Sequence, residues 1–265
     1  MQNYKNNQLV NDGNAIMDIS VLSVIGDRED QQDSFGYSLK NNEGIVVVCD
    51  GMGGHEGGKI ASCISTEKFI SDYDASYPSE NITLQLIESA KKSDGRIFAL
   101  KNKDGEPLNA GSTCVATVIR EDKLFWCSVG DSRAYLLRGE EFVQLTKDQN
   151  YGTVLNEKLR AGIIGKEEYK QEEKRAEALI SYIGIGNLSL IDYNSFPLSL
   201  KTGDKIIIMS DGLYKIVQEN EIQRVIENFH NCSEALQALE MKARKAARSN
   251  GISRDNITVA IISIK

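Results

Sequence analysis

Residues 46–59 read VVVCDGMGGHEGGK: an apolar run that stops at Asp50, followed by nine residues of which five are glycine. Such a loop could hold a phosphate or a metal. Gly53, Gly58 and Lys59, with four residues between the glycines, reproduce the spacing of a phosphate-cradling P-loop. The next residue is Ile60, where a P-loop needs a Ser or Thr hydroxyl to help hold the magnesium of the nucleotide.

The surrounding pattern also decides against a P-loop. Strand-like stretches DISVLSVIG, SFGYSLK and GIVVVCD crowd the N-terminal region with no length for helical crossovers, so they predict antiparallel pairing instead of a parallel sheet. Two helices follow, with Ile60, Cys63, Ile64 and Ile70 on one face of the first and Ile82, Leu86, Ala90 and Ile97 on one face of the second. STCVATVIR, KLFWCSVG, RAYLLRG and EFVQLT then read as a meander, with turns at REDK, GDS and RGEE.

Residues 149–174 turn charged and helical and run into SYIGIGN, which predicts an inserted, mobile element. LSLIDYNSFPLSL and KIIIMSD return to strand. Two more helices cover ENEIQRVIENF and SEALQALEMKARKAA. Asn231 and Glu234 cap the second, and Ala235, Leu236, Leu239, Ala243 and Ala246 line its face. NITVAIISI closes the chain as a strand. This order predicts an α+β fold in which two antiparallel sheets pack together and carry helices outside, forming one domain over residues 1–265.

A net charge of -7 and a sequence pI near 5.1 argue against nucleic acid and acidic membranes as partners, and the short basic run KARKAAR reads as a solvated helix face. No stretch reaches the length of a membrane span, and the polar start lacks the apolar core of a signal peptide, so a cytoplasmic protein is expected. The five cysteines, odd in number and without short paired spacings, read as reduced thiols. The absence of a heptad repeat or a long exposed apolar run predicts a monomer.

Aspartates mark the ends of the apolar strands. Asp33 opens one, Asp50 ends IVVVC, Asp131 follows WCSVG, Asp211 follows IIIMS, and Asp255 begins the last. A single Asp beside Gly is an ordinary turn residue. Five gathered at sheet edges would repel one another unless a cation neutralised them. All-oxygen sites select magnesium or manganese, and His55 and His230 alone cannot build an imidazole-rich zinc site.

DREDQQDSFGY, VVVCDGMGGHEGGKIAS, GSTCVATVI, FWCSVGDSRAYLLRGEEFVQLTKD, LKTGDKIIIMSDGLY and SRDNITVAII, in this order, resemble the metal-dependent Ser/Thr protein phosphatases of the protein phosphatase 2C family in its bacterial form, from about residue 18 to residue 264. The resemblance implies a four-layer α-β-β-α sandwich with a flap at about residues 149–187. It implies that Asp50 bridges two metal ions, that Asp211 and Asp255 complete the first site, and that Asp33 with the Gly51 carbonyl serves the second. The resemblance further implies that Asp131 belongs to a third, weaker site shared with Asp211, and that Arg28 grips the phosphoryl oxygens.

The implied reaction is hydrolysis of phosphoserine and phosphothreonine in proteins by a metal-activated water, without a phosphoenzyme. His55, the histidine of the motif loops, is the candidate proton donor to the leaving alkoxide, with a water on the metal as its competitor. Phosphoproteins, including a Ser/Thr kinase and its targets, are the implied partners. Gln32, Gln149, Asn150 and Lys215 depart from common family residues, and the drifted flap segment KRAEALISYIG predicts slower or narrower substrate use. The rival readings are a binding module without turnover, a phosphatase of small phosphoesters, and the P-loop protein disfavoured above.

Overall fold

A computed structural model of the chain describes residues 8–53 and 56–265. In chain order its elements are β1 (Gln8–Gly13), β2 (Met17–Val24), β3 (Asp33–Lys40), β4 (Glu43–Met52), α1 (Gly57–Ala75), α2 (Ile82–Phe98), β5 (Gly111–Ser112), β6 (Cys114–Arg120), β7 (Lys123–Val129), β8 (Arg133–Arg138) and β9 (Glu141–Gln144). The chain continues through α3 (Tyr151–Arg160), α4 (Lys166–Glu172), β10 (Asp192–Tyr193), β11 (Leu198–Ser199), β12 (Lys205–Met209), α5 (Asp211–Tyr214), α6 (Glu219–Asn228), α7 (Cys232–Asn250) and β13 (Ile257–Ile264).

The strands form two sheets, ordered β1-β2-β13-β12-β8-β9 and β10-β7-β6-β4-β3, with β11 added to β7 and β5 to β4. Every strand pairing among the described residues is antiparallel, which rules out the parallel sheet of a P-loop protein. Alternation along buried strands explains the layering. Val46 and Val48 of β4 join Ala260 and Ile262 of β13 in the core between the sheets. Their neighbours point the other way: Ile45, Val47 and Cys49 pack with residues of α1 and α2, and Ile257, Val259 and Ile261 with residues of α6 and α7. The result is the expected α-β-β-α order.

The chain departs from the expected pattern where it changes sheet. β2 pairs with β1 and β13, not with β3, so residues 25–32 carry the chain from one sheet to the other. The apparent meander breaks in the same way. β6 pairs with β7 and β8 with β9, but the turn after Val129 crosses between sheets, and β8 pairs with β12. Short connections hide such crossings, because adjacent strands and strands of opposed sheets need similar loop lengths.

Helix faces differ in detail too. The buried face of α1 is made of Ala61, Ser62, Ser65, Thr66, Phe69 and Tyr73, while Ile60, Cys63, Ile64 and Ile70 are only partly covered. Small residues there allow close approach to the sheet. Ile82, Leu86, Ala90 and Ile97 of α2 are buried as expected, and Asn231 caps α7 by accepting from the Ser233 and Glu234 amides at 2.8 and 3.3 Å. Ala247, not Ala246, completes the buried face of α7. LSLIDYNSFPLSL yields only the two-residue strands β10 and β11, and residues 8–13 form an edge strand that their polarity concealed.

The segment between β9 and β10 holds α3 and α4 and ends against α2. There the Asp94 carboxylate, buried in that helix, accepts the amides of Gly184 at 2.8 Å, Gly186 at 3.0 Å and Leu188 at 3.0 Å. Asp94→Ala leaves three amides without their acceptor and is expected to lower the unfolding free energy by about 2–4 kcal/mol, read from denaturant melts.

Candidate functional site

The two sheets end together at a cavity of about 800 Å³, which Asp50, Asp131, Asp211 and Asp255 line from strand ends, with Asp33 buried beside it. Asp33 begins β3 and stands in register with Asp50 near the end of β4. Asp211 starts α5 just after β12, and Asp255 precedes β13, which pairs with β12. Asp131 lies in the β7–β8 crossing. The sheets are joined here directly: the Ser210 hydroxyl, after β12, donates to Asp33 Oδ2 at 2.8 Å and accepts the Thr258 amide at 3.0 Å.

Backbone and side-chain bonds hold the loops in place. The Asp50 amide donates to Thr113 Oγ1 at 3.0 Å, and the Thr113 amide donates to the Asp50 carbonyl at 2.8 Å. Asn256 accepts the Gln32 amide at 2.8 Å and donates to the carbonyls of Ile25 and Asp30 at 2.8 and 3.1 Å, which pins the crossing that carries Arg28. Gly51 must be glycine, because a Cβ would stand 2.1 Å from the Gly58 carbonyl oxygen and 2.6 Å from that of Gln32.

The charge balance of the cavity is one-sided. Among the described residues, Asp27, Glu29, Asp30, Asp50, Asp131, Glu177, Asp211 and Asp255 line it against only Arg28 and Lys215. Arg28 Nη2 is bound to Asp255 Oδ2 at 2.6 Å, and Lys215 Nζ to Asp211 Oδ2 at 2.7 Å and to Glu177. Burial, then the charges of Asp211 and Asp255, push the Asp33 carboxyl up to about 7. Burial and then Asp33 and Asp211 raise Asp50 well above the usual carboxylate range; burial and Asp211 take Asp131 to about 6.

Such crowding fits divalent cations, and so does one oxygen: Asp33 Oδ1 is buried and accepts no hydrogen bond. As the side chains stand, no three acidic, histidine or cysteine residues among those described form a group able to hold a metal ion. Arg28 and Lys215 pair with Asp255 and Asp211, so a metal that took those oxygens would exchange with these protein cations.

The structure therefore gathers Arg28, Asp50, Gly51, Asp131, Asp211 and Asp255 around one cavity, with Asp33 beside them through its pairing with Asp50. His55 lies outside the described residues. Thr113, Ser210 and Asn256 orient the acidic residues and the Arg28 loop, but they carry no charge pattern that singles them out in sequence. Only their place in the short runs GST, MSD and RDN, close to a glycine or an aspartate, marks them.

The family model described as Protein phosphatase 2C matches residues 23–245, and the chain belongs to that family. Among curated relatives, it is 29% identical over 240 residues to the "Serine/threonine phosphatase stp" of Listeria monocytogenes serotype 4b, covering 89% of this chain and 90% of the relative. Among solved structures, the S. agalactiae serine/threonine phosphatase superposes with a TM-score of 0.80 at 27% identity, over 94% of this chain and 100% of that one. The catalytic domain of the phosphatase PstP in complex with two manganese ions superposes with a TM-score of 0.74 at 23% identity, over 94% and 98%, which supports the fold.

The raised carboxyls set a pH dependence for the chelated protein. A folded-state value above the unfolded one, near 4, means that folding favours the protonated form. Stability in chelator is expected to fall as pH rises from about 4 through 7, the value for Asp33. Thermal melts across that range test this, with saturating Mn²⁺ expected to remove the fall.

Proposed function

We propose that this chain is a metal-dependent protein phosphatase that hydrolyses phosphoserine and phosphothreonine by direct attack of water. The observation that carries the reading is the acidic cavity. A phosphate dianion cannot enter a site lined, among the described residues, by eight acidic and two basic ones unless further positive charge is supplied. Two divalent cations, manganese or magnesium, would screen the phosphoryl oxygens and lower the pKa of the attacking water. Family membership, the names of the relatives and the two manganese ions of the PstP complex support this reading.

Each residue then has a task. Asp50, Asp211 and Asp255 would hold one cation, and Asp50, Asp33 and the Gly51 carbonyl the other. Asp131 and Asp211 would serve a third, weaker site. Ser210 fixes the Asp33 carboxylate through Oδ2, which leaves Oδ1 for a ligand. Thr113 fixes the backbone at Asp50 from both sides. Arg28, displaced from Asp255 when that carboxylate takes a cation, would turn its guanidinium to the phosphoryl oxygens. His55 is the proposed proton donor to the leaving alkoxide.

Residues 149–187 would act as a flap of a single domain over residues 1–265. Lys215 supports this by tying Glu177 of that segment to Asp211 of the site. Among the described residues no helix is long and apolar enough to cross a membrane, and all five cysteines are free, which suits the reducing cytoplasm. The substrates would be phosphoproteins, a Ser/Thr kinase and its targets among them, met by a monomeric enzyme.

Turnover of an aryl phosphate and of a phosphothreonine peptide with Mn²⁺, with Mg²⁺ and with chelator tests the reading. Activity is expected only with metal, and Asp211→Asn should reduce it on the order of 100-fold or more. Metal binding without turnover in the unmodified protein would favour a binding module instead. His55→Ala should slow an alkyl phosphoester roughly 100-fold while slowing an aryl one far less, since only the alkoxide needs the proton. Equal losses would remove His55 from that role.

A further inference from the structure

Beside the acidic cavity lies a second one, of about 780 Å³ and of opposite character. Phe98, Ala110, Pro107, Tyr182 and Ile185 line it, and Met52 and Gly53 belong to both cavities. Phe98 and Ile185 are 62% and 37% exposed, so apolar surface faces solvent immediately next to the site of chemistry.

The groove is preformed. Met52 of β4 pairs with Gly111 of β5, one residue beyond the pairing of Gly51 with Ser112. Ser112 exchanges amide-to-carbonyl bonds with Ile183 at 2.9 and 2.8 Å, so the wall carrying Tyr182 and Ile185 is zipped to the same strand end that carries Asp50. Asp94 holds the next turn through its three amides. Gly186 lies so close over Phe98 that a Cβ would stand 2.6 Å from its ring. Apolar walls bonded to the strand end that carries the reaction site are the arrangement by which a pocket selects a side chain at low ordering cost.

We propose that this groove binds an aliphatic or aromatic side chain of the substrate polypeptide, a few residues along the chain from the phosphorylated Ser or Thr. The proposal rests on the phosphatase reading above and names the substrate class it favours: phosphoproteins with an apolar residue flanking the phosphorylated one. The occupant is argued from continuity. The cavities share Met52 and Gly53, and an extended chain advances about 3.3 Å per residue, so a peptide with its phosphate among the aspartates reaches the groove within a few residues. The cavity, once loaded with cations, would give affinity through the phosphate, and the groove adds selection among phosphorylated sequences.

The test uses matched phosphothreonine peptides with Leu or Lys at each of about four positions on either side, with Mn²⁺ present, measuring turnover and, by fluorescence anisotropy, binding. Each enzyme's rates are referred to its own turnover of a small aryl phosphate, which has no chain to reach the groove. For the unmodified protein, kcat/KM is expected to favour Leu about tenfold at one offset, mainly through KM. Phe98→Glu and, separately, Ile185→Ser should bring that ratio near one. No preference for Leu at any offset, or a preference that survives both substitutions, overturns the proposal. So does a Phe98→Glu change that abolishes self-association in sedimentation but leaves peptide selection intact, because the groove would then belong to a second copy. Absence of aryl phosphate turnover in the unmodified protein would refute the phosphatase reading instead, and the anisotropy ratio would still decide whether the groove selects apolar peptides.

Discussion

The mutual repulsion of carboxylates gathered where two sheets meet is the constraint on which the rest of the site depends. Five aspartates from five connections converge there, and buried Asp33 pairs in register with Asp50. In the absence of added cations, Asp33, Asp50 and Asp131 all hold their protons more tightly than an exposed aspartate, through burial first and the neighbouring carboxylates second, while Arg28 and Lys215 neutralise Asp255 and Asp211. A fold that keeps such a cluster carries a stability cost, which bound metal would offset.

The same crossings that the sequence pattern concealed put these groups in position. Residues 25–32 and the turn at Asp131 both carry the chain between sheets, and each delivers an acidic residue to the seam. Strand alternation made the layers legible, since Val46 and Val48 face one core and Ile45 and Val47 the other. Aspartates after apolar strands made the acidic site legible for a similar reason: a strand buried on both faces can expose a charge only at its end. Sheet assignment was not legible, because hydrophobic period does not say which neighbour a strand pairs with. Nor were Ser210, Thr113 and Asn256, whose roles consist of hydrogen bonds between segments up to 231 residues apart, as in the bond from Asn256 to Ile25.

Lys215 shows how a departure from the common family residue acquires meaning in three dimensions. In the sequence it touches only the surroundings of the aspartates. In the structure its ammonium bridges Asp211 and Glu177, linking the segment between β9 and β10 to the acidic cluster. Just further along the same segment, Ile183 is held by Ser112 and Gly184 by Asp94, so one stretch answers to the charge state of the cavity and the next to a set of amide bonds.

Anomalous diffraction from crystals soaked in Mn²⁺ tests the metal reading most directly. Two strong manganese peaks are expected among Asp33, Asp50, Asp211 and Asp255, with Arg28 released from Asp255. A cavity without manganese at saturating concentration, in which the Arg28–Asp255 and Lys215–Asp211 pairs persist, would contradict it.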